Sequence, residues 1–286
     1  MPDIQIRSLT HAYSRGTPFE KVALDHISLD IPAGQYAALL GRTGSGKSTL
    51  IQHLNGLLSP SEGQILFDGE DVFASKVSLR RLRFRVGLVF QYPEYQLFEE
   101  TVWKDIAFGP RNMGLSESEI EEHVRFGARL ADVPEELFSE SPLEISGGQK
   151  RRVAIAGVFS MQPEVLILDE PLAGLDPEGC RSLLKNIDDY RRATGCTVLL
   201  VTHDMDAAAR CAERLIVLEK GRLLMDGTPH EIFSRTDELR RAGLDVPDAA
   251  SLALALRLRG IDLGESVYTP QQLCDAVLRI KEARKC

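Results

Sequence analysis

YAALLGRTGSGKSTLIQHLNG, residues 36–56, is the stretch from which the fold is read. Tyr36–Leu40 is an apolar run long enough for a buried strand. It stops at Gly41, and Gly41-Arg42-Thr43-Gly44-Ser45-Gly46-Lys47-Ser48 fits the phosphate-loop pattern. From Lys47 the residues predict a helix to Asn55, with Gly56 placed to end it. A strand, a glycine-rich turn and a helix, in that order, are the context that gives the motif a structural meaning.

The chemistry follows from that geometry. Gly41, Gly44 and Gly46 lack a Cβ, so the loop can curl around a phosphate with its N–H groups turned inward. The helix that begins near Gly46 adds the positive end of its dipole. Lys47 carries a full charge to the terminal phosphates, and the Ser48 hydroxyl can ligate magnesium. Gly41 to Thr49 is therefore the expected nucleotide-binding run, with the Arg42 guanidinium turned away from the phosphates. A nucleoside triphosphate site is expected here.

The 286 residues suit about two domains and a sizeable core. A hydrophobic share of 43% beside 27% charged residues is that of an ordinary globular chain. No apolar run approaches the ~18 residues of a membrane span. The N-terminal MPDIQIRSLT has neither a signal-peptide nor a transit-peptide pattern, so a cytosolic location is expected. Cys180, Cys196, Cys211, Cys274 and Cys286 form no CxxC pair, which argues against a disulfide framework or a zinc site. A net charge of −8 speaks against a nucleic-acid surface.

Residues 4–9 and 22–31 alternate as strands do, with Tyr13 and Phe19 in the loop between them. Gln64–Phe67 and Val86–Phe90 read as further strands, the latter ending at Gln91. From Tyr92 to about Gln162 the pattern is helical, with Ser116 and Glu119 as a capping box. Then strand-like runs at 165–169, 197–202 and 214–220 alternate with helices at about 178–193 and 204–212. Buried runs alternating with helices imply an α/β fold with a largely parallel sheet. From about Pro229 the tail is mostly helical, and its last helix is basic at its end.

Two further groups carry chemistry. Val165-Leu-Ile-Leu-Asp169-Glu170 sets two carboxylates at the end of an apolar strand, the edge where open α/β sheets bind ligands. Asp169 can hold magnesium, and Glu170, facing differently, can take a proton from an attacking water. The pair could instead merely cap the next turn. Ser146-Gly147-Gly148-Gln149 opens a helix whose exposed N–H groups can bind an anion. Alone, it is a flexible helix start.

Together these motifs resemble a family. The phosphate loop, Gln91, Ile145-Ser146-Gly147-Gly148-Gln149, Leu168-Asp169-Glu170-Pro171, Gly174-Leu175-Asp176 and His203 occur in the order typical of ABC-type ATPases, over about residues 3–230. The resemblance implies a mostly parallel core sheet, an antiparallel β subdomain and an α-helical subdomain at about 92–162. A small helical C-terminal extension would occupy 231–286. It implies cassettes that dimerise head to tail around ATP and Mg2+, the Ser146 helix facing the partner's γ-phosphate. By the same resemblance Tyr13 stacks on adenine, with Phe19 a rival. Gln91 touches magnesium and the water, Asp176 reaches across the dimer, and His203 contacts the γ-phosphate. Ile145 and Leu172 depart from the commoner residues, but neither removes a phosphate or metal ligand.

Gln52-His-Leu-Asn-Gly-Leu-Leu58, Tyr92-Pro-Glu-Tyr-Gln96, Asp105-Ile-Ala-Phe-Gly-Pro110 and Gln149-Lys-Arg-Arg-Val-Ala-Ile-Ala-Gly157 more closely resemble energy-coupling factor transporter ATPases, of the second of two subunit types. That resemblance implies a second ATPase subunit, a transmembrane coupling subunit and a substrate-binding membrane subunit. The chain would lie at the cytoplasmic face of the membrane, held only through those partners, and drive uptake of vitamins or transition-metal ions. A homodimeric metal-ion importer ATPase is the near alternative. Aromatics Tyr92, Tyr95, Phe98 and Trp103, interleaved with Glu94, Glu99, Glu100 and Asp105, suit docking on a basic membrane-protein helix, with about half expected in the core. A soluble ABC protein acting on nucleic acid is the competing class. Its usual marks, zinc or coiled-coil insertions or a second cassette, are missing from this sequence.

Overall fold

The computed structural model describes residues 3–264 and 267–283; Arg284 and Lys285 of the basic end and Cys286 lie outside them. Strands β1 (Ile4–Tyr13), β2 (Lys21–Ile31) and β3 (Tyr36–Leu40) lead to helix α1 (Lys47–Leu54). Next come β4 (Glu62–Phe67), β5 (Glu70–Asp71), α2 (Lys76–Arg85) and β6 (Val86–Val89). Three helices follow, α3 (Val102–Met113), α4 (Glu117–Leu130) and α5 (Gly147–Phe159). Alternation resumes with β7 (Val165–Asp169), α6 (Pro177–Thr194), β8 (Thr197–Val201), α7 (Met205–Cys211) and β9 (Arg214–Glu219). Strand β10 (Arg222–Gly227) precedes α8 (Pro229–Ser234), α9 (Thr236–Arg241), α10 (Asp248–Arg257) and α11 (Pro270–Ala283).

The strands form two sheets. An antiparallel one has the order β2-β1-β4-β5, and a larger one the order β10-β9-β3-β8-β7-β6. In the larger sheet β3, β6, β7, β8 and β9 run parallel, while β10 pairs antiparallel with β9. Strands covered on both faces read as unbroken apolar runs. β3, β7 and β8 are accordingly buried at every position. Successive side chains point to opposite faces. Leu166, Leu168, Val198 and Leu200 enter a core with the helices between Val102 and Tyr190. Val165, Ile167, Leu199 and Val201 enter a second core, shared with α1 and the antiparallel sheet.

The tail is tied to the central sheet at first. Leu239, Leu244 and Val246 share a core with Ala38 and Leu40 of β3. Beyond it, Leu263, Val267 and Ala276 make a small cluster with residues of α10 and α11.

Local structure departs from the sequence reading in several places, among them β5 and β10, which have no counterpart in it. β1 continues to Tyr13, which therefore ends a strand instead of standing in a loop. α2 has no counterpart in the reading because KVSLRRLRFR is dominated by arginines, with Leu82 its fully buried apolar residue. Residues from Tyr92 to Thr101 hold only a short 3-10 turn at Pro93–Gln96, so the helical lobe proper begins at Val102. The Ser116–Glu119 capping box is present as expected.

Candidate active site

Four parallel strands deliver the expected residues to one edge of the sheet. Gly41 follows β3, Gln91 stands just after β6, Asp169 ends β7 with Glu170 next, and His203 follows β8. All five, with Tyr13, Lys47, Ser48 and Thr49, line a single cleft of about 870 Å³. This is where ligands bind in open α/β sheets.

The phosphate loop takes its shape from its glycines. Gly44 and Gly46 have φ of 81° and 106°, a region L side chains rarely adopt. A Cβ on Gly46 would also meet the Ala23 carbonyl oxygen at 2.7 Å. Lys47 Nζ donates to the Gly41 carbonyl at 2.5 Å and the Arg42 carbonyl at 3.2 Å, which folds the ammonium back over the loop. Burial pushes the Lys47 pKa down, opposed by the charges of Glu170 and Asp169. Arg42 lines the rim, its side chain lying along Gly243 of the tail. Ser45 differs from its neighbours. Its side chain is buried, and its N–H is taken by the Arg42 carbonyl at 3.0 Å.

Across the cleft the Ser48 hydroxyl points at Asp169, with Oγ to Oδ2 at 3.5 Å. Burial first, and then the neighbouring Glu170, raises the Asp169 pKa, which Lys47 and Ser48 counter. Serine hydroxyl, aspartate and the Gln91 amide are hard oxygen donors of the kind magnesium takes. Glu170 sits at φ 51°, and its N–H donates to the Val201 carbonyl at 2.9 Å. Such strained backbone clusters at functional sites. His203 Nδ1 donates to Glu170 Oε1 at 2.7 Å, while Thr202 Oγ1 lies 3.4 Å from Oε2. The carboxylate is thus oriented from both sides, and the His203 ring remains mostly exposed.

Tyr13, not Phe19, lines the cleft, and its hydroxyl lies 3.2 Å from Thr49 Oγ1. Ser146, Gly147, Gly148, Gln149 and Asp176 are not among the lining residues. Ser146 and Gln149 form a capping box that starts α5. Among the described residues no atom outside the helix lies within 4 Å of where a Cβ on Gly147 or Gly148 would stand, so that helix end is open. Asp176 Oδ1 accepts the Gly179 N–H at 2.6 Å and caps α6. Lys21, Val22 and Ala23, Lys220 and Gly221, and Gly243, Leu244 and Asp245 also line the cleft, and sequence reasoning did not find them. Of these, the Lys220-Gly221 turn carried a signal, since paired positive φ values favour a glycine second.

Past Gln91, Tyr92, Tyr95 and Phe98 are exposed, and the Phe98 ring meets that of Phe108 edge-on at 5.0 Å. Trp103 turns inward onto Phe138. The acidic groove expected there is thinner than its sequence. Glu94 Oε2 lies 3.3 Å from Nε of the buried Arg151, Glu100 pairs with Lys104, and the Asp105 carboxylate accepts the Phe98 and Glu99 N–H groups.

Residues 24–173 match the ABC transporter family. The energy-coupling factor transporter ATP-binding protein EcfA2 of Clostridium tetani is 48% identical over 97% of this chain and 96% of its own length. The protein of the same name from Symbiobacterium thermophilum is 49% identical over 99% and 98%. Among solved structures, cbiO1 of Clostridium perfringens, part of the ABC transporter complex cbiONQ, is 39% identical. It superposes with a TM-score of 0.73 over 87% of this chain and 97% of that one. The dimeric ATP-binding cassette MJ0796, bound to ADP and phosphate, is 26% identical with a TM-score of 0.73, over 79% of this chain and 98% of that one.

Proposed function

The chain belongs to the ABC transporter family, among its energy-coupling factor ATP-binding subunits, and we propose how its residues divide that work. It binds and hydrolyses ATP to drive transport through membrane partners. Convergence of Lys47, Ser48, Gln91, Asp169, Glu170 and His203 on one cleft from four strand ends carries this reading.

In the proposed division, Tyr13 stacks on the base, and the N–H groups of the loop from Gly41 to Thr49, other than that of Ser45, hold the phosphates. Lys47 balances charge on the γ-phosphate. Glu170 takes a proton from the attacking water, which contributes about 10²–10⁴-fold in rate. His203 keeps that carboxylate aimed and offers its exposed ring edge to the γ-phosphate. Ser48, Gln91 and Asp169 would hold magnesium, which supplies positive charge against the phosphate oxygens. Since Ser146–Gln149 and Asp176 lie outside the cleft, they serve the site of a second cassette packed head to tail. Residues 1–230 form the cassette and 231–286 the helical extension, whose first part completes the cassette core.

The partners are a second ATPase subunit, a transmembrane coupling subunit and a substrate-binding membrane subunit, at the cytoplasmic face. The cargo is a vitamin or a transition-metal ion. The exposed Tyr92, Tyr95 and Phe98 support docking there, as aromatic anchors dominate interfaces. Among the described residues no helix is long and apolar enough to cross a membrane, which fits attachment through partners. Affinity purification through this chain from detergent-solubilised membranes, read by mass spectrometry, tests the assignment. A second ATPase and membrane subunits are expected; ribosomal or nucleic-acid partners in their place overturn it.

A further inference from the structure

Behind Tyr13, one layer back from the residues that line the cleft, lie two histidines that the ATP chemistry leaves unused. His53 is fully buried on α1, and His11 of β1 is nearly so. His53 Nδ1 lies 2.7 Å from the Thr49 carbonyl, which can only accept, so Nδ1 carries the proton. Nε2 of the neutral ring is then an acceptor. It takes the His11 Nδ1–H at 3.1 Å, a hydrogen that also reaches the Ser59 carbonyl at 3.3 Å. The two rings meet edge-on at 4.6 Å, and the His11 ring meets Tyr13 in the same way at 4.7 Å. The Tyr13 hydroxyl closes the circuit on Thr49 Oγ1.

Thr49, His53, His11 and Tyr13 thus form a closed ring of contacts between the phosphate-loop helix and the aromatic platform. Aliphatic side chains would fill the same volume without polar groups in need of partners. Here each buried N–H has an acceptor, and each imidazole is held in one tautomer.

We propose that His53 and His11 are positioning residues for the nucleotide base, locking the Tyr13 ring against α1 so that its open face meets the base at a fixed angle. This rests on Tyr13 as the base-stacking residue. The affected quantity is affinity for the base, not for the triphosphate, because the histidines touch neither the loop glycines nor Lys47 and meet Thr49 only at its carbonyl, which cannot donate to a phosphate. The groups facing the pair are Tyr13 and the carbonyls of Thr49 and Ser59. A proton added to His53 sets N–H against N–H unless His11 changes tautomer and gives up Ser59.

Binding of ATP and of inorganic tripolyphosphate to the full chain tests this. Tyr13→Ala is expected to weaken ATP but not tripolyphosphate; if ATP binding is unchanged, the base-stacking reading itself falls. His53→Phe and His11→Phe are each expected to weaken ATP about three- to tenfold, the range of an aromatic contact. Tripolyphosphate affinity stays as in the wild type. His53→Gln, whose amide oxygen can accept from His11, recovers part of the loss. In the Tyr13→Ala background His53→Phe costs nothing further. Wild-type ATP affinity in both phenylalanine variants, with Tyr13→Ala impaired, overturns the proposal. So does an equal loss of tripolyphosphate binding, which would make the pair a support for the phosphate loop.

Discussion

Lys47 is a cation drawn partly out of water and held over the loop by two carbonyls. Preorganised charge of this kind needs no rearrangement at the moment of reaction. Lys47→Ala is therefore expected to abolish turnover in the assembled complex and weaken ATP binding; near-normal turnover would reject its role. Gly46 is constrained by backbone and by space. Gly46→Ala would place a methyl 2.7 Å from the Ala23 carbonyl oxygen at φ 106°. A loss of about 1–3 kcal/mol in denaturant unfolding is expected. His53 gives a pH test. Burial, its largest cause, holds its folded pKa below the ordinary 6.5, so the unfolded chain binds the proton first as pH falls. Its contribution is thus complete above about pH 6.5 and declines below it until the folded ring also titrates. Melting temperature followed between pH 7.5 and 5.5 should fall less in His53→Gln than in the wild type. These residues were legible to different degrees. Lys47, Asp169 and Glu170 announce themselves by motif, whereas His11 and His53 are forty-two positions apart and meet only when β1 packs on α1.

At the scale of elements, the segment after β6 shows what side-chain type leaves open. Its aromatics and acids were visible in the sequence, but their directions were not. Trp103 turns onto Phe138 while Tyr95 and Phe98 face out. Glu94 approaches Arg151, a buried residue of α5, and Arg151 also lies under the Tyr92 ring at 6.0 Å. Reversing Glu94 thus probes the fold, since it would set a second cation against the buried Arg151. The docking role is better tested by Tyr95→Ala with Phe98→Ala, both exposed. Capture of the membrane coupling subunit is expected to fall while the isolated chain still binds ATP. Wild-type capture would reject docking there, and lost ATP binding would make the segment a support for the fold. α2 escaped the sequence reading because its apolar positions are too few to impose a period on an arginine-rich run.

For the whole molecule, the parallel sheet was legible because strands covered on both faces must be apolar throughout, and the phosphate loop fixes the edge at which they end. What stayed hidden depends on long-range packing. Gly243, Leu244 and Asp245 reach the nucleotide cleft because Leu239 and Val246 around them are buried on β3, a contact no local pattern records. The sheet also accounts for the proposed division of the site. One cassette brings Lys47, Asp169, Glu170 and His203 together, yet leaves Ser146–Gln149 open on another surface. On the proposed division hydrolysis belongs to an assembly, with Glu170 as the base in this chain's own cleft. The most direct test is the rate of ATP hydrolysis by the complex purified through this chain, wild type against Glu170→Gln, with bound ATP measured in the same samples. The account predicts that the variant's own site loses about 10²-fold or more in rate while retaining ATP in a closed pair of cassettes. Unchanged hydrolysis at that site would contradict it and leave Glu170 as a cap on the turn after β7.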